Sequence, residues 1–195
     1  ASYTALNMAG RVSTSTGCSA CVWLSGGGVA MGIGIWAMHF IGMLAMDISM
    51  HLRYDPLLTA LSMVIAIASS LFALWLVSGA ELTMYRLLPG SFVMGMGIVA
   101  MHYTGMAALQ VTPPIVWDMT WVAVSVLIAL LSSFAALWLT FRLRYEAAQV
   151  ALMRFGAAIL MGLAIAGMHY SGMMAAQFPN EYPMCNHGVN GNLLA

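Results

Sequence analysis

The sequence Met101-His102-Tyr103-Thr104-Gly105-Met106 is one of three copies of the same hexapeptide. The first copy is Met38-His39-Phe40-Ile41-Gly42-Met43, and the third is Met168-His169-Tyr170-Ser171-Gly172-Met173. Each copy lies late in a long apolar run, and a Met-Gly pair stands seven residues before its first Met, at 31–32, 94–95 and 161–162. One histidine in an apolar helix is compatible with accidental packing. Three histidines in the same frame, each preceded by Met and followed by Gly-Met at +3 and +4, indicate a built feature.

The composition is that of an integral membrane protein. Hydrophobic residues make up 62% of the chain and charged residues only 6%, whereas soluble domains carry about 25% charged residues. The net charge is zero and the basic residues are six arginines. The chain therefore has no basic face of the kind that would indicate a nucleic-acid partner. Three cysteines are too few for a disulfide scaffold. The expected partner of this surface is the lipid bilayer.

Five apolar runs are long enough to cross a membrane, which takes about 20 helical residues. They lie at roughly 22–46, 57–78, 88–109, 119–141 and 152–176, and the polar breaks between them lie at 47–56, 79–89, 110–118 and 142–146. The runs are too long for strands and lack the alternation of a membrane barrel. The sequence therefore predicts an all-α, polytopic transmembrane helical bundle.

The repeating unit is wider than the hexapeptide. The segments 69–76 (SSLFALWL) and 132–139 (SSFAALWL) are 63 residues apart, as are His39 and His102, so the unit is a Ser-Ser/Trp helix followed by a Met-His helix. Ser2 precedes His39 by the same 37 residues that separate Ser132 from His169, which predicts the end of a Ser-Ser-type helix at about 1–8. We expect one membrane-embedded domain with repeats at about 1–46, 47–109 and 110–176 and an outer tail at 177–195. The chain is interpreted as a segment of something longer.

The arginines predict the orientation in the membrane. One set of breaks holds five of the six, and the other set holds only Arg53; the five are Arg11, Arg86, Arg142, Arg144 and Arg154. By the positive-inside rule the first set is cytoplasmic. Each Met-His helix then runs outward, and its histidine lies about eight residues, or about 12 Å, from the outer end.

The motif offers imidazole and thioether groups to a metal. On a helix the Met at +4 lies about 40° from its His, and the Met at −1 lies about 100° to the other side. Neutral imidazole with soft thioether suits copper, especially Cu(I), whereas zinc more often recruits Cys or carboxylate. The candidate ligands, in order of preference, are His39, His102 and His169; then Met43, Met106 and Met173; then Met38, Met101 and Met168.

Other interpretations of the motif stay open. Each His could hydrogen-bond a helix carbonyl or a serine while the Met residues fill space, which would make the three copies a packing scaffold. Against this, ionisable residues inside a membrane usually serve a function. Haem with axial His is a further ligand set, and an electron-transfer or copper-handling membrane protein is the alternative function. Polar groups do not continue through the inner halves of these helices, which disfavours a transport path. The predicted spans also contain no carboxylate, which disfavours a redox enzyme.

The hexapeptide resembles the MHYT family of bacterial integral-membrane sensor domains, named for the motif that stands here at residues 101–104. The resemblance covers the whole chain, and the triplicate pattern is specific. It implies seven spans, with a further span after residue 195, and a location in the bacterial inner membrane. It also implies copper bound by Met, His and Tyr, sensing of a diatomic gas such as O2, CO or NO, and fusion to cytoplasmic diguanylate cyclase or phosphodiesterase modules of cyclic-di-GMP signalling. This segment by itself is then not an enzyme, and a homodimer formed through the output modules is one arrangement that the resemblance allows.

The first copy departs from the family pattern, because Phe40 and Ile41 stand where Tyr and Thr are expected. Tyr103 and Tyr170 are rotated about 100° from their histidines. We interpret them as groups that hydrogen-bond a bound gas or a neighbouring helix, beside the ligands and not among them.

The remaining polar residues carry weaker signals. Asp55 and Asp118 each follow a motif His by 16 residues and precede the next helix, which predicts helix N-caps. Roles for the soft or ionisable groups outside the motif are left open: Cys18, Cys21, Cys185 and His187.

Overall fold

Six helices follow one another along the part of the chain that the structure describes, which is residues 2–45, 53–79, 81, 83–111, 114–143 and 151–177 of a computed structural model. They are α1 (Ser2–Thr14), α2 (Gly17–Leu44), α3 (Pro56–Ser78), α4 (Met84–Ala107), α5 (Met119–Arg142) and α6 (Ala151–Met174). The predicted helical fold is confirmed.

Five of these helices, α2 to α6, are long and apolar enough to span a bilayer. The chain is thus a multi-pass membrane protein. Two helices begin earlier than the hydropathy predicts: α2 at Gly17 and α4 at Met84. Pro89 was predicted to belong to the polar break before the span, but it lies inside α4. The amide that proline lacks would have bonded the carbonyl of Tyr85, whose side chain is exposed near the start of the helix.

Two aspartates begin α3 and α5, as predicted. The Asp55 carboxylate accepts hydrogen bonds from the backbone N–H groups of Leu57 and Leu58, both at 2.9 Å. The Asp118 carboxylate accepts from Thr120 at 2.8 Å and from Trp121 at 3.4 Å. Each cap satisfies amides that have no partner within the helix.

The helices form a closed ring in chain order. Each of α1 to α5 packs against the helix that follows it, and α1 closes the ring by contacting α6. The odd-numbered helices α1, α3 and α5 also contact one another, and α4 contacts both α2 and α6. The glycines of two Met-Gly pairs allow close helix approach, because a Cβ at Gly32 would meet the Ile67 backbone and one at Gly95 would meet the backbone of α5. The three Met-His helices are thereby alternate members of the ring.

Two short antiparallel ladders lie where the Met-His helices end. Strand β1 (Arg53–Tyr54) pairs with β2 (Leu109–Gln110), and β3 (Val116–Trp117) pairs with β4 (Ala176–Gln177). The sequence predicted helix through residues 109 and 176, yet α2, α4 and α6 each end five residues after their histidine. The predicted distance of eight residues from histidine to helix end is therefore too long. After α4 and α6 the chain forms a turn and a strand instead of further helix.

Candidate metal centre

The three motif histidines meet inside the bundle. Each lies on the last two turns of its helix, and each is at most 1% exposed. The Nδ1 atom of His39 lies 3.1 Å from Nδ1 of His102 and 3.2 Å from Nδ1 of His169. A ligand atom from each ring lies within 4.8 Å of the other two. Residues 63 and 67 positions apart in sequence thus form one cluster.

The protonation of three neutral imidazoles decides which of their nitrogens could bind an ion. Each neutral ring carries one proton, on Nδ1 or on Nε2. The Nε2 atoms of all three rings are buried beside a motif glycine of another helix, and the Gly172 backbone interacts with the His102 ring. Protons on the Nδ1 atoms would point at one another across about 3 Å. With the protons on Nε2, the Nδ1 lone pairs face one another. A single cation between them would take up these lone pairs, so this donor set fits a metal ion.

The spacing of the nitrogens agrees with that interpretation. Imidazole nitrogens bind first-row metals at about 2.0–2.1 Å. Two such nitrogens at tetrahedral or trigonal angles are about 3.3–3.6 Å apart, by trigonometry from that bond length. The two Nδ1 separations from His39, 3.1 and 3.2 Å, are slightly smaller than this range.

The motif glycines form the walls of the cluster, and each one serves a histidine of another helix. A Cβ at Gly42 would collide with Nε2 of His169, one at Gly105 with Nε2 of His39, and one at Gly172 with Nε2 of His102. The Gly at +3 therefore leaves the space in which a neighbour's imidazole lies. The pattern is cyclic, because α2 receives the ring of α6, α4 receives that of α2, and α6 receives that of α4.

The aromatic residue at +1 packs edge-on against its own histidine in every copy. The ring centroids are 4.9 Å apart for His39–Phe40 and for His102–Tyr103, and 5.2 Å apart for His169–Tyr170. Phe40 makes this contact without a hydroxyl, so the ring contact that the three copies share does not need one.

The two predicted tyrosines differ in their surroundings. The Tyr103 hydroxyl lies 2.8 Å from the Ser125 hydroxyl on α5. Tyr170 is 51% exposed on the surface of the bundle. The structure thus places Tyr103, but not Tyr170, in a hydrogen bond to a neighbouring helix.

Trp36 is a residue that the sequence reasoning missed. Its indole N–H donates to the Ser62 hydroxyl at 3.1 Å, and Ser62 lies 63 residues before Ser125, the partner of Tyr103. Trp36 also packs on Phe40 with ring centroids 4.8 Å apart. In the first copy, then, an indole makes the bond to the next helix that a phenol makes in the second. The repeat of the serines at 62 and 125 was the available signal.

The methionines at +4 come together next to the histidines. Met43, Met106 and Met173 are at most 3% exposed and form one cluster with Leu109 and Ala176 of the two ladders. Tyr54 and Phe40 pack against this cluster, with their ring centroids 5.5 Å apart, and burial raises the pKa of the Tyr54 phenol. A layer of methionine therefore lies between the histidines and the two ladders.

The methionines at −1 are not gathered in the same way. Met101 packs with Ile35 and Ala66, whereas Met168 packs with Ile98, Val99 and Ala129. Met38 is partly buried. The structure divides this set among separate helix interfaces.

The histidine cluster has no acidic member within the described residues. The carboxylates of Asp55 and Asp118 are engaged as helix caps. Cys18 and Cys21 are free and exposed near the start of α2, and Cys185 and His187 lie outside the described residues. The cluster is a set of neutral donors in an apolar setting.

Comparison with known proteins adds a family to this geometry. A family model called MHYT, described as "Bacterial signalling protein N terminal repeat", matches residues 32–90, 95–153 and 162–190. The chain is 58% identical over 92% of its length to the bifunctional diguanylate cyclase/cyclic di-GMP phosphodiesterase MucR of Pseudomonas aeruginosa, of which it covers 26%. It is 40% identical over 93% of its length to the signaling protein YkoW of Bacillus subtilis, of which it covers 23%.

A third relative is the cyclic di-GMP phosphodiesterase NbdA of Pseudomonas aeruginosa, which is 39% identical over 90% of this chain, with 22% of NbdA covered. The chain thus spans about a quarter of the length of the curated relatives it matches. No solved structure matches the chain.

Proposed function

Because the chain belongs to the MHYT family of bacterial signalling proteins, we propose that it is the membrane-embedded sensor region of such a protein and that it senses through a metal bound by His39, His102 and His169. The observation that carries this proposal is the convergence of the three Nδ1 atoms in a buried site. Neutral histidine is the commonest protein ligand for transition metals.

The proposed metal is copper in the Cu(I) state. The donors are neutral, and no described carboxylate joins them, so the full charge of the ion remains inside an apolar bundle. The desolvation cost of an ion rises with the square of its charge, which favours a monovalent ion over Zn²⁺ or Cu²⁺ at this site. Met43, Met106 and Met173 lie in the adjoining layer, where soft thioethers suit Cu(I). The methionines at −1 are the weakest of the proposed ligands because they pack at separate interfaces.

Haem is a poorer fit to the same geometry. Two axial nitrogens lie on opposite faces of a porphyrin, about 4 Å apart at ordinary iron–nitrogen distances. Here the three imidazoles contact one another, with ring centroids 4.9 to 5.3 Å apart. No porphyrin could lie between rings in this arrangement, so the geometry favours a bare ion.

The proposed signal is a diatomic gas. A bound Cu(I) ion would supply a centre to which O2, CO or NO can bind. The chain's own residues orient the imidazoles through Phe40, Tyr103 and Tyr170 and keep water away through the methionine layer and the ladders. The response would pass along α2, α4 and α6 to a cytoplasmic cyclic-di-GMP enzyme module, as the names of two relatives suggest. The proposal places the histidines toward the outer side of the inner membrane and allows a homodimer.

Metal analysis of the purified protein tests this proposal. The wild type and a His39→Ala/His102→Ala/His169→Ala variant would be purified in detergent, reconstituted with Cu(I) under reducing conditions, and analysed for bound metals. We expect one copper per wild-type chain and none in the triple variant. The control is His51→Ala/His187→Ala, which removes the two histidines outside the motif copies and should leave the copper content unchanged.

The other outcomes are equally informative. A different metal at the same stoichiometry would retain the site and discard copper. If neither protein retains a metal after reconstitution, while circular dichroism shows that both stay folded, the histidines only pack the helices together. The proposal of a metal-based sensor would then be wrong.

A further inference from the structure

A second feature of the repeat has no role in the metal proposal. The methionine of each Met-Gly pair stands eight residues before its histidine: Met31, Met94 and Met161. Eight residues of helix place these methionines about 12 Å from the histidines along the helix axes. Since each copy carries one, the ring holds a second set of three related side chains at another depth.

These three methionines line one cavity, which is not fully enclosed. Its volume is about 30 Å³, and its wall also includes Leu74, Leu137 and Thr140, from α3 and α5. Five of the six helices thus contribute to the wall. Leu74 and Leu137 are both 2% exposed and are 63 residues apart, so they are also equivalent residues of two repeats.

The chemistry of the wall selects against water and ions. A buried water makes about three hydrogen bonds, and the hydroxyl of Thr140 is the one hydroxyl, amide or charged side-chain group among the lining residues. Thioether sulfur is only a weak acceptor. A cation would have no counter-charge among the lining residues, and burying an unpaired charge in an apolar region is costly.

The size of the cavity selects among apolar ligands. One water-sized sphere needs roughly 10–15 Å³ by this kind of measure. A volume of about 30 Å³ therefore has room for two or three such spheres, which is enough for a diatomic molecule. Drug-sized ligands and cofactors use pockets of about 300–1,000 Å³. Apolar cavities stay dry and bind small apolar molecules such as xenon.

We propose that the cavity lined by Met31, Met94 and Met161 is a binding site for a small apolar molecule of the size of a diatomic gas, separate from the histidine cluster. This site does not depend on a metal at the histidines. Flexible, polarisable methionines suit such a ligand because they adapt to its shape and interact with it through dispersion.

Xenon is the probe for this site. Protein with 13C-labelled methionine methyl groups would be titrated with xenon in detergent, and the methyl resonances followed by NMR. We expect the signals of Met31, Met94 and Met161 to shift together and to saturate, while those of exposed Met84 and Met153 move only with the bulk detergent. The copper content, measured on the same samples, reports separately on the histidine cluster.

Two matched pairs of variants on α5 locate the effect. Ala136→Leu places bulk in the wall of the cavity and should abolish the saturable shift, whereas Ala123→Leu, on an exposed position of the same helix, should retain it. Leu137→Ala enlarges the cavity and should tighten xenon binding, whereas Leu127→Ala, at a 56% exposed residue, should not.

The assignment is overturned if xenon shifts none of the three methyl groups in the wild type or in Leu137→Ala. It is also overturned if Ag(I), added to the triple-histidine variant, binds stoichiometrically and shifts the three methyl groups, since the site would then be one for soft cations.

Discussion

Replacing Gly172 with alanine should damage the metal site through a histidine on another helix. The added Cβ would lie 2.9 Å from Cδ2 and 3.0 Å from Cε1 of His102, and closer still to Nε2. Carbon atoms in contact are ordinarily about 3.5–4.0 Å apart. The imidazole of His102 must therefore retreat by about half an ångström or more, or α6 must move away from α4.

The magnitude follows from two separate effects. Forcing extra volume into a packed interior costs about 1–3 kcal/mol of stability. Metal sites hold their ligand distances within about 0.2 Å, so a displacement of half an ångström exceeds the tolerance of the cluster. Changes to groups that orient metal ligands typically cost 10–100-fold in affinity, and we expect Gly172→Ala to weaken Cu(I) binding by about that factor.

The control is Gly167→Ala on the same helix. Gly167 is only two residues from His169, yet nothing lies within 4 Å of a Cβ built there. That substitution should leave Cu(I) affinity unchanged and should favour the helix slightly, because alanine has the higher helix propensity. Affinity would be measured by competition with a chromophoric Cu(I) chelator, and the imidazoles would be followed by 15N NMR of labelled histidine.

The spectrum decides whether the contact between helices is the cause. In Gly172→Ala the resonances of His102 should change more than those of His169, although His169 is the nearer residue in sequence. Equal affinity in the two glycine variants, or a change confined to His169, would refute the assignment of the motif glycine to its neighbour's histidine.

Two further predictions concern residues that support the site and the helix caps. Tyr103→Phe removes the hydroxyl that bonds Ser125 and should lower the free energy of unfolding in detergent by about 0.5–1.5 kcal/mol. Cu(I) affinity should not change, because the ring contact remains; loss of copper would show that the phenol takes part in binding. Asp118→Ala removes the cap of α5 and should lower the free energy of unfolding by about 1 kcal/mol, whereas Asp118→Asn should keep most of that stability. Equal free energies of unfolding for the two variants would disprove the capping role.

Much of the fold follows from local signals in the sequence. Membrane solvation fixes the helical spans, since a long apolar run can satisfy its backbone only as a helix. Asp55 and Asp118 act within their own first turns, so their capping could be read without tertiary information. The convergence of the three histidines could be anticipated because the three copies share one frame.

The parts that could not be predicted depend on which helices are neighbours. In the sequence Gly105 is only the Gly at +3 of its motif copy, but in the structure it leaves room for His39 of another helix. That contact depends on the ring order and on the rotation of each helix. The two-residue ladders join segments more than 50 residues apart, such as Tyr54 and Leu109. No periodicity marks so short a pairing. The bond from Trp36 to Ser62 replaces a missing phenol with a residue from another position, so aligning the copies does not reveal it.

The closed ring has a consequence for the order in which the protein is assembled. Each helix packs against its predecessor in the chain, so successive hairpins can form as they enter the membrane, by contacts that are local in sequence. The histidine cluster is the exception, because it needs His169 from the last helix beside His39 from the second. It can exist only after the ring has closed. A metal bound there would then show that the six described helices have come together.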